Sequence, residues 1–274
     1  MRSERTRLDE LLVIRGLAGS RNVARGLIMA GKVAVGGARI DKAGTAVPID
    51  AEISVKSGAR FVSRGGEKLA GALATFGTNV TGRWALDVGA STGGFVDCLL
   101  QSGAAGVVAL DVGHGQLDVC LRGDPRVEVL EGVNARYLRR EDLPYVPDLL
   151  TMDVSFISVQ KVLGPVLGCM AECFEGLVLV KPQFEAGRAD VGKGGIVRDA
   201  GVHRTVVMDT GAFLLGEAGL DVLGVCRSEI RGVGGNVEFF YHIARGGEKG
   251  LGLDRLEQVV ECCVRSDGQG EAGE

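Results

Sequence analysis

Four apolar segments of this sequence each run into residues that could do chemistry. The first is followed by the glycine-rich loop Gly89-Ala-Ser-Thr-Gly-Gly94, and the other three are followed by Asp111, Asp153 and Lys181. Ligands of open α/β sheets bind outside the carboxyl ends of the strands. If the four segments are parallel strands, we expect these residues to surround one site.

The loop and Asp111 together predict a site for a cofactor that contains adenosine. The loop lacks the Gly-x-Gly-x-x-Gly spacing of dinucleotide sites, so a nucleoside without a pyrophosphate fits it better. Asp111 comes 22 residues after Gly89, where an acidic side chain can accept hydrogen bonds from a ribose diol. Taken alone, the glycine-rich loop is a weak signal, and the alternative is a purely structural turn.

Lys181 and Asp153 suit the methylation of a ribose hydroxyl, a reaction that must remove a proton from a weakly acidic group. A lysine amine can accept such a proton when burial and neighbouring charges favour its neutral form. Lys181 follows the apolar run Leu177 to Val180, and Asp153 leaves a nearby strand at the same level. The alternative is an ion pair that only stabilises the edge of the sheet.

A second glycine-rich segment, Gly187-x-x-x-x-Gly192-Lys193, is close to a phosphate-binding P-loop. Gly194 stands where that motif needs the Ser or Thr that holds magnesium. We therefore interpret the segment as a mobile loop over the site, and nucleotide hydrolysis is not favoured.

The elements that must position these residues form an alternating series of strands and helices. This alternation predicts a mostly parallel sheet with helices on both faces. An amphipathic helix containing Leu69, Leu73 and Phe76 precedes the series, with Lys68 in its first turn, where local evidence alone favours a solvated lysine. The predicted strands are Trp84 to Val88, Val107 to Leu110, Val127 to Leu130, Leu149 to Met152, Leu177 to Val180, Val222 to Cys226 and Phe239 to Ala244.

The first part of the chain differs in charge from the rest. Residues 1–62 hold eleven Lys and Arg against six Asp and Glu, a net charge of +5, whereas the whole chain carries −4, so the remainder carries −9. Thr6-x-x-Asp9 predicts a capping box that opens a helix ending near Gly16. Ser20 is expected to cap a second helix that Gly31 closes. Arg21 and Arg25 share a face of that helix, which is either a solvated face or a surface for phosphates.

Composition limits the other possibilities. Seven cysteines without a Cys-x-x-Cys pair and three histidines predict no metal site and no disulfide framework. The charged N-terminus leads into no signal-like apolar core, and no apolar stretch reaches the ~20 residues of a membrane span. We therefore expect a cytoplasmic protein without a membrane partner.

The spaced positions of the first 50 residues resemble the RNA-binding module of ribosomal small-subunit protein four. The matching positions are Arg7-Leu-Asp9, Gly16-Leu-Ala-x-Ser-Arg21, Ala24, Leu27-Ile28, Gly31-x-Val33 and Val35-x-Gly37. The resemblance implies binding to structured RNA. The residues expected to contact RNA are Arg7, Arg15, Ser20, Arg21, Arg25, Lys32 and, after the module, Arg64.

The chain as a whole resembles the TlyA family, within the FtsJ-like ribose methyltransferases. The motifs are Ser63-Arg-Gly-x-x-Lys-Leu69, Gly89-Ala-Ser-Thr-Gly-Gly-Phe95, Asp111-Val-Gly-x-Gly-Gln-Leu117, Asp153-x-Ser-Phe-Ile-Ser158, Lys181-Pro-Gln-Phe-Glu185 and Gly235-Asn-Val-Glu238. His114, Val96 and Phe61 depart from the Tyr, the Thr and the frequent Trp of the pattern.

This resemblance implies a catalytic tetrad and the cofactor S-adenosylmethionine. Lys181 is the expected base, Asp153 its partner near the methyl group, and Lys68 and Glu238 are positioning groups, which revises the local interpretation of Lys68. The expected cofactor-binding residues are Asp87, Gly89, Ser91, Thr92, Gly93, Gly94, Phe95, Asp111 and Asp153.

We therefore predict an α/β protein with a Rossmann-like methyltransferase domain on a mostly parallel seven-stranded sheet, preceded by a small α+β RNA-binding domain. The predicted limits are 1–58 for the RNA-binding domain, 59–65 for a linker, 66–250 for the methyltransferase domain and 251–274 for a C-terminal helix and tail. The predicted function is 2′-O-methylation of cytidine in ribosomal RNA, with ribosomal subunits as partners and no obligate protein partner. The alternatives are a membrane-lytic protein, as the hemolysin A name in this family suggests, and a non-catalytic ribosome assembly factor.

Overall fold

The computed structural model describes residues 4–56, 59–247 and 249–265. The chain divides into two compact units, Met1–Arg60 and Phe61–Glu274. The ends of the predicted RNA-binding domain (residues 1–3 and 57–58) and the predicted tail from residue 266 lie outside the described residues.

The first unit is a small α+β module around a core formed by Leu8, Leu11, Leu12, Ile28 and Val33. Strand β1 pairs with β4, and β2 pairs with both β3 and β5. The elements are β1 (Arg5–Arg7), α1 (Leu8–Ile14), α2 (Arg21–Met29), β2 (Val33–Val35), β3 (Ala38–Arg39), β4 (Ala46–Pro48) and β5 (Ile53–Val55).

The predicted start of α1 is wrong, whereas that of α2 is confirmed. Thr6 lies in β1, and the residue that precedes α1 is Arg7, whose side chain makes no capping hydrogen bond. The Asp9 carboxylate is instead bound by Arg7. For α2, the Ser20 hydroxyl accepts a hydrogen bond from the Val23 N–H as predicted.

The second unit is built on a seven-stranded sheet in the order β11-β12-β10-β9-β6-β7-β8. Only β12 runs antiparallel to its neighbours, so the predicted mostly parallel sheet is confirmed. Its strands are β6 (Trp84–Val88), β7 (Gly106–Asp111), β8 (Val127–Glu131), β9 (Leu149–Met152), β10 (Phe174–Val180), β11 (Asp221–Arg227) and β12 (Phe239–Arg245).

Helices cover the sheet and bury its apolar side chains in two clusters. The α-helices are α3 (Arg64–Phe76), α4 (Gly94–Gln101), α5 (Val119–Arg122), α6 (Gln160–Leu167), α7 (Pro182–Glu185), α8 (Ala200–Leu215) and α9 (Leu253–Arg265). Short 3-10 turns lie at Ala135–Tyr137, Arg140–Asp142 and Val233–Gly235. No helix within the described parts of the chain is long and apolar enough to cross a membrane.

Helix α3 begins earlier than the predicted linker allows. Arg64 is its first residue, so Lys68 lies in the second turn and not in the first. Phe61, also inside the predicted linker, is buried, and the Val62 N–H donates to the Asp97 carboxylate at 2.8 Å. These contacts attach the segment from Phe61 to the second unit.

Strand direction explains how the functional residues come together. Asp153 follows β9 and Lys181 follows β10, and these two parallel strands are neighbours. Because β12 is antiparallel to β10, with Phe239 opposite Val180, the residue that precedes β12 lies at the edge where β10 ends. That residue is Glu238.

Candidate active site

The loop after β6 requires glycine at its first position. Gly89 has φ +89°, and a Cβ atom there would lie 2.4 Å from the Asp153 carbonyl oxygen. The Asp111 carboxylate, at the end of β7, is held by two backbone N–H groups: Ser91 of this loop donates to Oδ2, and Gly113, two residues after Asp111, donates to Oδ1, each at 2.7 Å. The backbone therefore fixes the Asp111 carboxylate, and each oxygen keeps a lone pair for a ligand.

Asp111 lines a cavity of about 340 Å³, which we call the nucleoside cavity. Its apolar wall includes Leu110, Val133 and Val162, and its polar groups include Asp111 and Asn134. An apolar slot with a few fixed polar groups is the usual form of a small-molecule site. The residues present fit adenosine, with apolar contact for the base and a carboxylate for the ribose diol.

Asp87 does not line this cavity or its neighbour. The side chain is fully buried in the sheet, and Thr151 Oγ1 donates to Asp87 Oδ1 at 2.7 Å. Among the described residues nothing bonds to Oδ2. Burial raises the pKa of this carboxyl to about 8, against the lowering effect of the Thr151 hydrogen bond. The structure therefore places Asp87 behind the site, unlike the prediction of a cofactor contact.

A second cavity of about 520 Å³ contains the four residues of the predicted tetrad, and we call it the tetrad cavity. Lys68, Asp153, Lys181 and Glu238 all line it. It shares Gly89, Ser91, Asp153, Ser155 and Phe156 with the nucleoside cavity, so the two adjoin. The structure thus brings together residues that are up to 170 positions apart.

The predicted cofactor loop divides between the two cavities. Ser91 lines both, whereas Thr92, Gly94 and Phe95 line only the tetrad cavity. Gly93 lines neither, because its backbone packs against Leu117 and Leu121.

Lys181 and Asp153 form the first charged pair of the tetrad cavity. Lys181 Nζ lies 2.5 Å from Asp153 Oδ1 and donates to the Ser155 hydroxyl at 2.9 Å. The lysine side chain is 10% exposed and the aspartate 21%. Lys181 also precedes Pro182 at the start of α7, so the chain turns away immediately after β10 and leaves the amine at the sheet edge.

Lys68 and Glu238 form the second pair, with 2.5 Å between Nζ and Oε2. Glu238 is 2% exposed and Lys68 10%. A Cβ atom at Gly232 would lie 2.0 Å from Glu238 Oε1, so the backbone of the preceding turn packs directly against the carboxylate. This close approach fixes the orientation of the pair.

Asn236 is a site residue that sequence reasoning did not identify. It is buried and lines the tetrad cavity. Its Oδ1 accepts from the Val197 N–H at 3.0 Å, and its Nδ2 donates to the Gly195 and Val233 carbonyls at 2.9 and 3.1 Å. Asn236 therefore ties the residues that directly follow the second glycine-rich segment to the turn before Glu238, and Gly194 and Gly195 line the cavity.

Phe156 was also missed as a separate site residue. It is 91% exposed, has φ +64° although it is not glycine, and lines both cavities. Its ring lies 5.1 Å from that of Phe184. Strained backbone at an exposed aromatic residue occurs at binding sites, and the signal available in sequence was the motif Asp153-x-Ser-Phe-Ile-Ser158.

The predicted RNA-binding residues have different surroundings. Arg15 donates to the carbonyls of Ala51, at 2.6 Å, and Ile49, so its guanidinium supports the fold of the first unit. Ser20 is the cap of α2. Arg25 is exposed and Lys32 half-buried. Arg64 lines the tetrad cavity.

Comparison with known proteins agrees with this geometry. The profile of the FtsJ-like methyltransferases matches residues 61–245, and that of the S4 domain matches residues 6–53. The chain belongs to the FtsJ-like methyltransferase family. This FtsJ-like chain is 45% identical over 264 residues to the 16S/23S rRNA (cytidine-2′-O)-methyltransferase TlyA of Mycobacterium tuberculosis, covering 96% of this chain and 98% of that protein.

Two further relatives carry the hemolysin name. Hemolysin A of Brachyspira hyodysenteriae is 39% identical over 86% of this chain and 98% of its own length. A solved structure provisionally named a hemolysin, from Streptococcus thermophilus, has a TM-score of 0.70 and 38% identity, covering 94% of this chain and 95% of that one. The predicted TlyA-type family and the predicted fold class are confirmed.

Within the described ranges, no group of three or more His, Cys, Asp or Glu residues could hold a metal ion.

Proposed function

We propose that this chain transfers a methyl group from S-adenosylmethionine to the 2′-hydroxyl of cytidine in ribosomal RNA. The observation that carries the proposal is the pair Lys181 and Asp153, 2.5 Å apart, at the junction of the nucleoside cavity and the tetrad cavity. Two adjoining cavities suit a cofactor and an acceptor nucleotide, with the catalytic groups between them. S-adenosylmethionine, when bound, supplies an electrophilic methyl group.

Lys181 acts as the general base in this proposal. Once the ammonium has released its own proton, the amine accepts the proton of the ribose hydroxyl, and general base catalysis of this kind contributes about 10²- to 10⁴-fold. Asp153 and Ser155 orient the amine through their contacts at 2.5 and 2.9 Å. The buried pair of Lys68 and Glu238, which lines the same cavity, positions the acceptor nucleotide.

The nature of the acceptor follows from the first unit and from the relatives. The S4 domain supports binding to structured RNA, and the relative from M. tuberculosis is named for both 16S and 23S rRNA. Another relative, from Campylobacter jejuni, is named for 23S rRNA alone and is 35% identical over 66% of this chain. We infer both ribosomal subunits as substrates, which would place the enzyme in the cytoplasm.

Phe156 supports an acceptor base that is displaced from its stack. An enzyme that acts on a nucleotide within folded RNA has to extract it, and exposed aromatic rings stack on displaced bases. The position of Phe156 on both cavities suits that contact.

The test is methyl transfer from labelled S-adenosylmethionine to isolated ribosomal subunits by Lys181→Ala and Lys181→Arg. Arginine keeps the charge beside Asp153 but cannot release its proton in proteins. Both variants should lose at least about 100-fold in turnover while cofactor binding is largely retained, and Lys161→Ala, an exposed lysine on α6, serves as the control.

The arginine variant separates the alternatives. If Lys181→Arg turns over like the wild type, the pair only stabilises the sheet edge and Lys181 is not the base. If the wild type transfers no methyl group to either subunit, the enzymatic proposal fails in favour of a non-catalytic assembly factor. Release of a dye from lipid vesicles by the purified, RNA-free protein would support the membrane-lytic alternative.

A further inference from the structure

Two arginines of the first unit converge on one carboxylate. Arg7 Nε and Nη2 donate to the two oxygens of Asp9, each at 3.0 Å, and Arg21 Nη2 donates to Asp9 Oδ2 at 3.3 Å. Asp9 is on α1, whereas Arg7 ends β1 and Arg21 begins α2. The carboxylate therefore joins three consecutive elements of the module.

Asp9 is well suited to hold these side chains in place. The residue is fully buried, and its backbone N–H donates to the Ala43 carbonyl at 3.1 Å. The hydrogen bond from Arg7 is the largest of the effects that lower the pKa of the Asp9 carboxyl to about 2. The Arg7 guanidinium also packs over Gly44, where a Cβ atom would lie 3.2 Å from Nη1.

The outer edges of both guanidiniums remain available. The side chains of Arg7 and Arg21 are 49% and 54% exposed. Each guanidinium has five N–H donors, and the contacts with Asp9 and Glu10 use two on each. A planar guanidinium with a fixed orientation can offer its other donors to phosphate oxygens.

We propose that the buried carboxylate of Asp9 is a positioning residue that holds Arg7 and Arg21 as one preformed site for phosphate groups of RNA. This inference rests on the proposed binding of ribosomal RNA by the first unit. A flexible arginine must be ordered when it binds, and fixing it in advance removes that entropic cost. A carboxylate beside two phosphate-binding arginines reduces the local positive charge. By charge alone, Asp9 therefore weakens the attraction between these arginines and RNA phosphates.

Charge and geometry therefore predict opposite results for Asp9→Asn. The substitution removes one negative charge, which by electrostatics alone strengthens RNA binding. If Asp9 positions the arginines, binding weakens by about tenfold because two long side chains become free. The matched control is Glu52→Gln, which removes the same charge from an exposed position of the first unit and leaves the contacts of Arg7 and Arg21 with Asp9 intact.

Filter binding of the full-length protein to ribosomal RNA, at one fixed salt concentration, measures the effect. We expect weaker binding for Asp9→Asn and equal or tighter binding for Glu52→Gln. Tighter binding by both variants would overturn the inference while leaving RNA binding by the module intact. No binding by the wild type would instead remove the proposed function on which the inference rests.

Arg7→Lys gives a second test in case Asp9→Asn unfolds the module. Lysine keeps the positive charge but loses the two parallel hydrogen bonds to Asp9. Positioning predicts about tenfold weaker binding, since the charge is no longer held in one orientation. Wild-type affinity in Arg7→Lys, with unchanged circular dichroism, would contradict the inference.

Discussion

Asp87→Asn tests whether the buried acid behind the cofactor loop is protonated. Burial raises the pKa of the Asp87 carboxyl from 3.8 to about 8. Between these values the unfolded chain releases its proton, whereas the native protein keeps it. Stability is therefore lost as the pH rises from about 4 to about 8 and does not change further above that range.

The size of this loss follows from the two pKa values. Each pH unit between them corresponds to about 1.36 kcal/mol, so the carboxyl of Asp87 destabilises the native state by up to about 6 kcal/mol at pH 8. Asparagine has nearly the same shape and does not titrate. The stability of Asp87→Asn relative to the wild type should therefore increase steadily with pH across this window.

Urea denaturation of both proteins at several pH values from 5 to about 8 measures the difference in the free energy of unfolding. Calorimetric titration with S-adenosylmethionine at pH 7 measures cofactor binding, which we expect to be largely retained because Asp87 lines neither cavity. If the difference in stability between Asp87→Asn and the wild type does not change with pH, the Asp87 carboxyl is not protonated in the native protein. A large loss of affinity would restore Asp87 as a cofactor contact.

Two further predictions concern the tetrad cavity. Glu238→Gln leaves Lys68 buried without its charged partner and should lower the free energy of unfolding by about 3 to 5 kcal/mol. Urea denaturation measures this loss, and a loss below ~1 kcal/mol would mean that water already reaches the pair. In Asn236→Asp a carboxylate oxygen replaces the amide N–H donor, so the two hydrogen bonds to the Gly195 and Val233 carbonyls are lost. We expect a higher KM for RNA with retained cofactor affinity, as measured by methyl-transfer kinetics. Asn79→Asp, at an exposed turn, is its control, and equal KM values in the two variants would contradict the role of Asn236.

The positions at the ends of parallel strands were predictable from sequence. Asp111, Asp153 and Lys181 each follow an apolar run, and the direction of a parallel strand fixes the edge at which such a residue lies. Glu238 could not be found in this way, because it precedes its strand. Only the antiparallel direction of β12 brings it to the same edge, so the tetrad prediction depended on resemblance for this residue and for Lys68.

Local patterns were insufficient where tertiary contacts determine the position of a side chain. Thr6 and Asp9 have the spacing of a capping box, but Arg7 and Arg21 bind the aspartate. Asp87 belongs to the glycine-rich motif, yet its side chain points into the sheet toward Thr151. The hydrogen bonds of Asn236 join segments about 40 residues apart, and no local spacing rule predicts them.

Stability alone does not explain why the tetrad cavity holds two ion pairs. Replacement of a buried ion pair by apolar residues of similar size is often neutral or stabilising, and the neighbouring clusters show that this sheet packs well without charges. In the pair Lys68–Glu238 both side chains are at most 10% exposed, and in the pair Lys181–Asp153 the lysine is 10% exposed. Both pairs line the same cavity at the edge where β10 ends, and Lys68 reaches it from helix α3. This confinement of costly charged groups to one cavity supports the proposal that they serve the reaction and not the stability of the fold.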